Sequence, residues 1–356
     1  MEQALLESMN SNGLSEPNPK VGCVLVKEGK EIARGFTRAF GSFHAERVAF
    51  GKLDPNEDLS QVTAYVTLEP CSHFGSQPPC VDLFLKTKTW IKRVVIALLD
   101  PDDRVNGSGI QKLKDAGIEV KVGVLEKEAS LWNFPFLLNR KKKVPVWIGK
   151  WAQTTDGFVA DANGESKWIT NPKSRAYTHW LRQKYDVIIV GAQTYLKDQP
   201  KLTIRDCAPP YNRNPVPYVF DPKGILLDHS KPIFMKTFVC QSVIDAKKGD
   251  PKPWVVSIEG EPSSPALFGN FQKAVESELL PTQRPLQSIF VEGGARLLNG
   301  MLAEDRFDAL HIFTGNRTFE KTSDRYRIQF TPSNSWVCAS RHNFEQDLLQ
   351  EWVKGF

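Results

Sequence analysis

One histidine and two cysteines constrain the fold of this chain most strongly, because they can share a metal ion only if three separate segments converge. The residues are His44, Cys71 and Cys80, and each cysteine directly follows a proline. Imidazole and thiolate are the usual zinc ligands, and three protein ligands with one open position are typical of a catalytic zinc site. The sequence therefore predicts that His44, Cys71 and Cys80 bind Zn²⁺.

Glu46 follows His44 by two residues, and this spacing indicates a role in proton transfer. On a helix the carboxylate then points away from the histidine and can reach the open coordination position. Zinc lowers the pKa of a bound water, and a nearby carboxylate can take a proton from that water and deliver it to a leaving group. The order H-x-E, then P-C and C, is that of the zinc nucleobase deaminases, although eight residues rather than two separate these cysteines. We therefore predict that Glu46 is the catalytic acid and base.

Alternatives to this catalytic site stay open at the level of residues. A purely structural zinc normally has four protein ligands, and His73 could be the fourth; otherwise His73 contacts substrate or a neighbouring turn. A deaminase of nucleic acids would need a basic groove lined with aromatic residues. The formal net charge of +5 over 356 residues does not favour such a groove, whereas a small phosphorylated molecule is compatible with it.

The chain length and the pattern of apolar runs indicate two α/β domains. Strand and helix signals alternate over residues 1–125, a connecting helix is expected over 127–140, and the alternation restarts after Pro145. We interpret the basic run at 140–143 as a solvated linker, which places the domains at 1–143 and 144–356. Residues 206–286 are rich in proline, lysine and polar residues and give no clear pattern.

The sequence has no apolar stretch long enough to span a bilayer and no signal peptide pattern near residue 1. Its six cysteines are too few and too scattered for a disulfide scaffold, which suits a reducing compartment. We therefore expect a cytoplasmic enzyme that acts on a small molecule, without a membrane or nucleic-acid partner, and we expect it to form a homo-oligomer.

Several segments of the first domain match one family closely: residues 16–24, 44–46, 64–73, 78–80 and 100–101. They resemble the deaminase domain of the bifunctional riboflavin-biosynthesis family RibD, in which a long gap between the cysteines is typical. The resemblance implies a cytidine-deaminase-like, three-layer α/β/α fold. It also implies hydrolytic removal of the 2-amino group from 2,5-diamino-6-(5-phosphoribosylamino)pyrimidin-4(3H)-one, with Asn18 in contact with the pyrimidine.

In the second domain the residues alone indicate less. Gly293 and Gly294 lie between a predicted strand and a predicted helix, where glycines let a phosphate approach the backbone or simply form an ordinary turn. Arg182 and Arg205 could clamp a phosphate, or they could be solvated surface residues.

Further segments match the reductase domain of the same family: 150–152, 155–157, 166–170, 181–182, 190–191, 202–203 and 292–294, with Thr194, Asp198, Pro200 and Arg205. This resemblance implies a dihydrofolate-reductase-like α/β fold, NADPH as cofactor, and reduction of 5-amino-6-(5-phosphoribosylamino)uracil to the ribitylamino product. The residues that it implies for substrate binding are Ser166, Arg182, Leu202, Arg205 and Glu292. The residues that it implies for NADPH binding are Ala152, Trp168, Thr194, Asp198 and Gly294.

Two departures from the family pattern support an alternative for the second domain. Thr154 and Thr155 precede Asp156 where the family usually has Ser-Leu, and the segment 310–316 differs from the usual continuation. In this alternative the zinc deaminase is active, and the second domain is a reductase-like module for binding or dimerisation without catalysis.

Overall fold

The computed structural model describes residues 1–54, 56, 58–74, 77–101, 107–207, 213–228, 235–247, 252–281, 284–319 and 323–355. The chain divides into two compact units, Met1–Lys143 and Val144–Phe356. Each unit has its own sheet and its own hydrophobic core. Within the described residues, every helix is too short or too polar to cross a lipid bilayer.

The first unit alternates helices and strands in the way that the sequence predicts for an α/β domain. A 3-10 turn at Met9–Ser11 follows the first helix. The bounds are α1 (Glu2–Ser8), β1 (Gly22–Lys27), β2 (Lys30–Phe36), α2 (Ala45–Phe50), β3 (Val62–Val66), α3 (Cys80–Lys86), β4 (Ile91–Ile96), α4 (Ser108–Asp115), β5 (Glu119–Val122), α5 (Glu126–Trp132) and α6 (Phe134–Lys142).

The sheet of the first unit has the strand order β2-β1-β3-β4-β5. Strand β1 is antiparallel to both β2 and β3, whereas β3, β4 and β5 run parallel to one another. Parallel neighbours place their carboxyl ends at one edge, and ligands of open α/β sheets bind outside that edge. The loop that follows β3 contains Cys71.

Two glycines show that helices cover both faces of this sheet. In the register of β1 and β2, Gly22 pairs with Phe36 and Cys23 pairs with Gly35. Gly22 and Gly35 therefore face opposite sides, because successive strand residues alternate in direction. A Cβ atom on Gly22 would meet the carbonyl oxygen of Ala4 in α1, whereas one on Gly35 would meet the carbonyl oxygen of Ala45 in α2. The expected three-layer α/β/α arrangement is thus present.

Replacing Gly22 by alanine is expected to loosen α1 from the sheet. The added Cβ would lie 1.9 Å from the Ala4 carbonyl oxygen and 2.8 Å from the Ser8 nitrogen, so the helix backbone must move. Overpacking of this kind costs about 1–3 kcal/mol. Hydrogen exchange measures the effect, and we expect reduced protection of α1 and β1. The matched control is Gly191→Ala, because a Cβ there meets nothing within 4 Å; equal protection of β1 in the two variants would contradict the prediction.

The second unit repeats the α/β pattern with a larger sheet. Its strands are β6 (Val146–Gln153), β7 (Val187–Gly191), β8 (Val216–Phe220), β9 (Lys236–Cys240), β10 (Val255–Ile258), β11 (Ser288–Glu292), β12 (Ala309–Thr314), β13 (Trp336–Phe344) and β14 (Asp347–Lys354). Its helices are α7 (Pro172–Arg182), α8 (Ala192–Asp198), α9 (Gln241–Ala246), α10 (Leu267–Glu276) and α11 (Ala295–Ala303), with a 3-10 turn at Asp324–Tyr326.

The strand order in this sheet is β10-β9-β8-β7-β11-β6-β12-β14-β13. Among the described residues, the seven strands from β10 to β12 run parallel to one another, and the final β13–β14 hairpin joins β12 through antiparallel pairing with β14. The central strands β6, β7 and β11 are buried along most of their length, which is typical of a parallel sheet covered on both faces. The predicted α/β class is therefore confirmed for both units.

Three expectations from the sequence need correction. The single helix expected over 127–140 is two helices, α5 and α6, which meet at Asn133. Pro135 has no backbone N–H, so it fits the first turn of a new helix rather than the middle of a long one. The side chain of Asn133, at the junction, bonds to the backbone of Lys20 through both its amide oxygen and its amide nitrogen. The basic run is not a free linker, because residues 140–142 form the last turn of α6 and Lys143 ends it.

The third correction concerns residues 206–286, which gave no clear pattern. Their described part contains β8, β9, β10, α9 and α10. The strands are only four or five residues long and are separated by polar stretches. Each apolar run is therefore too short for its periodicity to be recognised in the sequence.

Candidate active sites

The three predicted zinc ligands converge in the first unit. His44 directly precedes α2, Cys80 is the first residue of α3, and Cys71 lies in the loop between β3 and α3. Phe50 of α2 and Phe84 of α3 pack edge to face with ring centroids 5.4 Å apart, which fixes the two helices that carry His44 and Cys80. The ligand atoms of the three residues all lie within 4.8 Å of one another.

The separations of these atoms fit a tetrahedral zinc site. His44 Nδ1 lies 3.6 Å from Cys71 Sγ and 3.4 Å from Cys80 Sγ. Zinc–sulfur and zinc–nitrogen bonds of ordinary length, at tetrahedral angles, place nitrogen and sulfur about 3.6 Å apart. Among the described residues this is the single such cluster of histidine, cysteine and acidic side chains, and it contains three residues rather than four. The donor set therefore fits zinc with one position left for a reactant.

Of the two cysteines, Cys71 already favours the charged form that a metal needs, whereas the hydrogen bond with Cys71 and burial raise the pKa of the Cys80 thiol. Hydrogen bonds from the side chain of Cys80, together with the backbone N–H of Cys80 at 3.3 Å, lower the pKa of the Cys71 thiol to about 4. A thiolate ligand must be deprotonated, so this effect assists metal binding.

Glu46 lies in the first turn of α2 and is 4% exposed. Burial raises the pKa of its carboxyl group above the ordinary value. A carboxyl group with a raised pKa exchanges protons closer to neutral pH, which is what a shuttle between water and a leaving amine requires.

A cavity of about 270 Å³ opens at this cluster. Asn18, the predicted pyrimidine contact, lines this cavity. His73, for which the sequence allowed either a metal-binding or a substrate-binding role, lines it too. His73 is exposed and does not belong to the cluster of ligand atoms, so the structure does not support His73 as a fourth zinc ligand. The lining residues are Asn18, Pro19, Val21, Thr37, Phe40, His44, Glu46, Leu68, Glu69, Cys71, His73, Gln77, Asp100, Phe136 and Arg140.

In the second unit, Arg182 and Glu292 form a buried bidentate ion pair. Arg182 Nε donates to Glu292 Oε1 at 2.8 Å, and Arg182 Nη2 donates to Glu292 Oε2 at 3.0 Å. Arg182 Nη1 also donates to the carbonyl oxygen of Thr203 at 2.9 Å. Because these bonds use the fork of the guanidinium, Arg182 does not present the bidentate phosphate clamp that the sequence suggested.

Charges around Glu292 determine its protonation. Burial alone would raise the pKa of Glu292, but the charges of Arg182 and Lys150 outweigh burial and lower it to about 2. Lys150 is itself affected, since burial lowers the pKa of its ammonium group. This end of the sheet thus holds a fixed carboxylate between two cations.

The other predicted reductase residues gather at the same edge of the sheet. Ala152 lies near the carboxyl end of β6, Gly191 ends β7 and Glu292 ends β11, and these three strands are parallel neighbours. A Cβ on Gly294 would lie 3.3 Å from Thr194 Oγ1, so the first turn of α8 lies close to the residue that precedes α11. The crevice outside the carboxyl ends of parallel strands is where such sheets bind ligands.

Two further contacts connect the segment that carries Ser166 and Trp168 to this edge. Lys197, next to Asp198, pairs with Glu165 at 2.8 Å, directly before Ser166. Arg317, which follows β12, donates to the carbonyl oxygen of Trp168 at 2.6 Å. The indole of Trp168 is 59% exposed and could therefore lie against a ligand.

Leu202 and Arg205 flank the Thr203 carbonyl group that Arg182 contacts. Leu202 is buried with a positive φ of 53°, which is uncommon for a residue with a side chain. Arg205 is exposed and pairs with Asp206 at 3.5 Å. Arg205, rather than Arg182, therefore has a guanidinium accessible to a phosphate.

The ion pair should make the second unit sensitive to acid. The pKa of Glu292 is lowered from about 4.5 to about 2, so its contribution to stability is present above pH 4.5 and is lost as the pH falls towards 2. We expect Glu292→Gln to remove this part of the acid sensitivity, which urea unfolding of the second unit between pH 5 and pH 3 can measure. The exposed Glu165→Gln is the control; identical pH profiles for wild type and Glu292→Gln would contradict the prediction.

Sequence reasoning missed several residues of the first site. Glu69 lines the cavity, and its Oε2 accepts hydrogen bonds from the backbone of Asp100 at 3.3 Å and Gly107 at 3.1 Å. Phe136 and Arg140 reach the same cavity from α6. Glu69 stands two residues before a predicted ligand and could have been suspected, whereas the direction of α6 has no sequence signal.

Comparisons with known proteins agree with this geometry. Residues 1–98 match the cytidine and deoxycytidylate deaminase zinc-binding region, and residues 145–319 match the RibD C-terminal domain. Riboflavin biosynthesis protein RibD of Aquifex aeolicus is 38% identical over 88% of this chain and 85% of its own length. RibD of Haemophilus influenzae is 33% identical over 85% of this chain and 78% of its own length.

A solved structure from Thermotoga maritima is similar along the whole chain. It is a diaminohydroxyphosphoribosylaminopyrimidine deaminase/5-amino-6-(5-phosphoribosylamino)uracil reductase, with 34% identity and a TM-score of 0.76. The match covers 99% of this chain and 97% of that one. Acinetobacter baumannii RibD gives a TM-score of 0.69 at 28% identity over 99% of this chain and 97% of its own.

The fold, the three clustered zinc ligands and the comparisons together define a two-domain enzyme, in which a zinc-dependent deaminase domain precedes an α/β reductase domain. The chain belongs to the RibD family of bifunctional riboflavin-biosynthesis enzymes. The predicted cofactors, zinc and NADPH, are those of the two domain types. The comparisons support this bifunctional assignment and give no support to a second domain without catalysis.

Proposed function

We propose that the two units catalyse consecutive steps of riboflavin synthesis. Residues 1–143 remove the 2-amino group of 2,5-diamino-6-(5-phosphoribosylamino)pyrimidin-4(3H)-one by hydrolysis, and residues 144–356 reduce the resulting 5-amino-6-(5-phosphoribosylamino)uracil with NADPH. The observation that carries the proposal is the convergence of His44, Cys71 and Cys80 at zinc distances. The buried Glu46 in the same cavity supports it.

In the deamination, zinc when bound acts as a Lewis acid that makes water nucleophilic at neutral pH. Glu46 takes a proton from the attacking water, which adds to C2 of the pyrimidine, and then delivers a proton to the departing amino group so that ammonia leaves. Asn18, in the wall of the same cavity, orients the pyrimidine by hydrogen bonding.

In the reduction, NADPH when bound supplies the hydride. The substrate side of the site consists of Ser166, Leu202, Arg205 and Glu292, and Arg182 holds the carboxylate of Glu292 in place. The cofactor side consists of Ala152, Trp168, Thr194, Asp198 and Gly294. The proximity of Gly294 and Thr194 supports placing both on the cofactor side, because a Cβ on Gly294 would lie 3.3 Å from Thr194 Oγ1.

We also propose that both reactions occur in the cytoplasm and that the enzyme is a homo-oligomer. The chain has only six scattered cysteines, and two of them belong to the predicted zinc site, which suits a reducing compartment. Light scattering on the purified chain tests the oligomer, and a mass of 40.1 kDa would contradict it.

A coupled assay on the full chain tests the two steps separately. The diaminopyrimidine phosphate is incubated with enzyme, with and without NADPH, and each product is detected by mass. Without NADPH we expect the deaminated uracil and ammonia, and with NADPH a product two hydrogens heavier. Failure to release ammonia would contradict the first step. Accumulation of the uracil at constant NADPH would contradict the second and favour a non-catalytic second unit.

A further inference from the structure

The cavity of the first unit is strongly asymmetric in charge. Three acidic residues, Glu46, Glu69 and Asp100, line it. Among the described lining residues, Arg140 is the one arginine or lysine. A ligand that carries a phosphate would be repelled by the acidic groups, so it needs a cation on the wall at the place where the phosphate lies.

The position of Arg140 is fixed by the start of α6. Asn133, which directly precedes this helix, is 1% exposed. Its Oδ1 accepts from the Lys20 backbone N–H at 2.9 Å, and its Nδ2 donates to the Lys20 carbonyl oxygen at 3.0 Å. These two bonds attach α6 to the segment that carries Asn18, two residues before Lys20. The start of α6 is therefore held beside Asn18, and the helix runs from there along the wall of the cavity to Arg140.

Phe136 and Arg140 then lie on one face of α6, because residues four apart on a helix are neighbours. Both line the cavity. The guanidinium of Arg140 lies 5.3 Å from the centroid of the Phe136 ring, which holds the long side chain in a defined direction. A guanidinium supported in this way loses less freedom when it binds a ligand.

The hydrogen-bonding groups of Arg140 are available. No described residue forms an ion pair or a hydrogen bond with its guanidinium, and its side chain is only half-buried. Arg182 differs in this respect, since its fork is used by Glu292. A planar fork of N–H donors suits the oxygens of a phosphate monoester.

We propose that Arg140 binds the 5-phosphate of the ribosylamino group in the deaminase cavity and so makes this site selective for phosphorylated pyrimidines. The inference rests on the proposed function, because the phosphate belongs to the substrate assigned there. The reacting amino group and the phosphate lie at opposite ends of that substrate. Arg140 therefore acts in binding and specificity, whereas Glu46 acts at the reacting carbon.

The test compares two substrates, the diaminopyrimidine phosphate and its 5-dephosphorylated ribosylamino analogue, with ammonia release as the readout. A charge-assisted hydrogen bond contributes enough that Arg140→Ala should lower kcat/KM for the phosphate about 10–100-fold, mainly through KM. Its kcat/KM for the dephosphorylated analogue should stay within about twofold of wild type, because the lost contact is not used. Arg140→Lys should keep part of the preference, since it retains the charge but not the planar fork.

Lys141→Ala is the matched control, because it removes the same charge from the same helix at an exposed position outside the cavity. We expect Lys141→Ala to leave kcat/KM for both substrates unchanged. The proposal is overturned if Arg140→Ala leaves kcat/KM for the phosphate unchanged. It is equally overturned if this variant loses activity on both substrates to the same extent, which would indicate a structural role.

The same assay separates this inference from the proposed function. If wild type releases no ammonia from the phosphate, the proposed deamination is wrong and the inference falls with it. If wild type deaminates the phosphate but shows no preference for it over the dephosphorylated analogue, the deaminase stands and only the role of Arg140 is wrong.

Discussion

Replacing Glu46 by glutamine should reduce ammonia release by about 10²–10⁴-fold, the usual contribution of a positioned general acid and base. Glutamine keeps the size of the side chain and can still form hydrogen bonds, but it cannot take a proton from water or give one to a leaving amine. Glu46 is not among the clustered ligands, so zinc should remain bound. The measurement is ammonia release from the diaminopyrimidine phosphate, with the zinc content of the same sample.

Glu69→Gln is the matched control for this variant, because Glu69 is also buried and lines the same cavity. Its Oε2 accepts from two backbone N–H groups, and an amide oxygen can replace it in both bonds. We expect only a small loss of activity. Equal losses in the two variants would mean that the negative charge of the cavity, rather than proton transfer by Glu46, is what the reaction needs.

Replacing Arg182 by methionine should abolish the reduction and destabilise the second unit. The change leaves the carboxylate of Glu292 buried without its bidentate partner, and breaking a buried ion pair in this way costs about 3–5 kcal/mol. Deamination should continue, because the three predicted zinc ligands belong to the first unit. NADPH oxidation with the deaminated substrate measures the first effect, and hydrogen exchange of β7 and β11 measures the second.

Two further variants separate stability from substrate binding. The double variant Arg182→Met with Glu292→Gln removes the unpaired charge, so protection should recover in part while the reduction stays lost. Arg205→Met changes an exposed guanidinium, so it should raise the KM of the reductase without loss of protection. If Arg182→Met retained full protection of β7 and β11, the ion pair would not stabilise the second unit as we describe.

The first site could be predicted from the sequence because its residues act through local features. His44 and Glu46 are two residues apart, and Cys71 and Cys80 each follow a proline beside a recognisable strand or helix. Zinc chemistry narrows such residue types to few roles. Arg140 could not be placed in the same way, because a basic run has no sequence signal that separates a solvated linker from the last turn of a helix beside a cavity.

The second site depends on contacts between distant residues. Arg182 ends α7 and Glu292 ends β11, 110 residues apart, so the tertiary fold rather than any local motif brings the two side chains together. The short strands β8, β9 and β10 and the final β13–β14 hairpin were missed for a related reason, since tertiary pairing rather than local period stabilises them. The resemblance to the family's reductase domain predicted the site residues of the second unit, and only the structure shows which of them pair with one another.

Zinc content tests the central claim most directly. The full chain, purified without chelators, is analysed for metal alongside Cys71→Ser and Glu46→Gln. The geometry of His44, Cys71 and Cys80 predicts one zinc per chain in wild type and in Glu46→Gln, and a large loss of zinc and of deamination in Cys71→Ser. Wild-type enzyme that releases ammonia at full rate without bound zinc, or Cys71→Ser that keeps its zinc, would contradict the account.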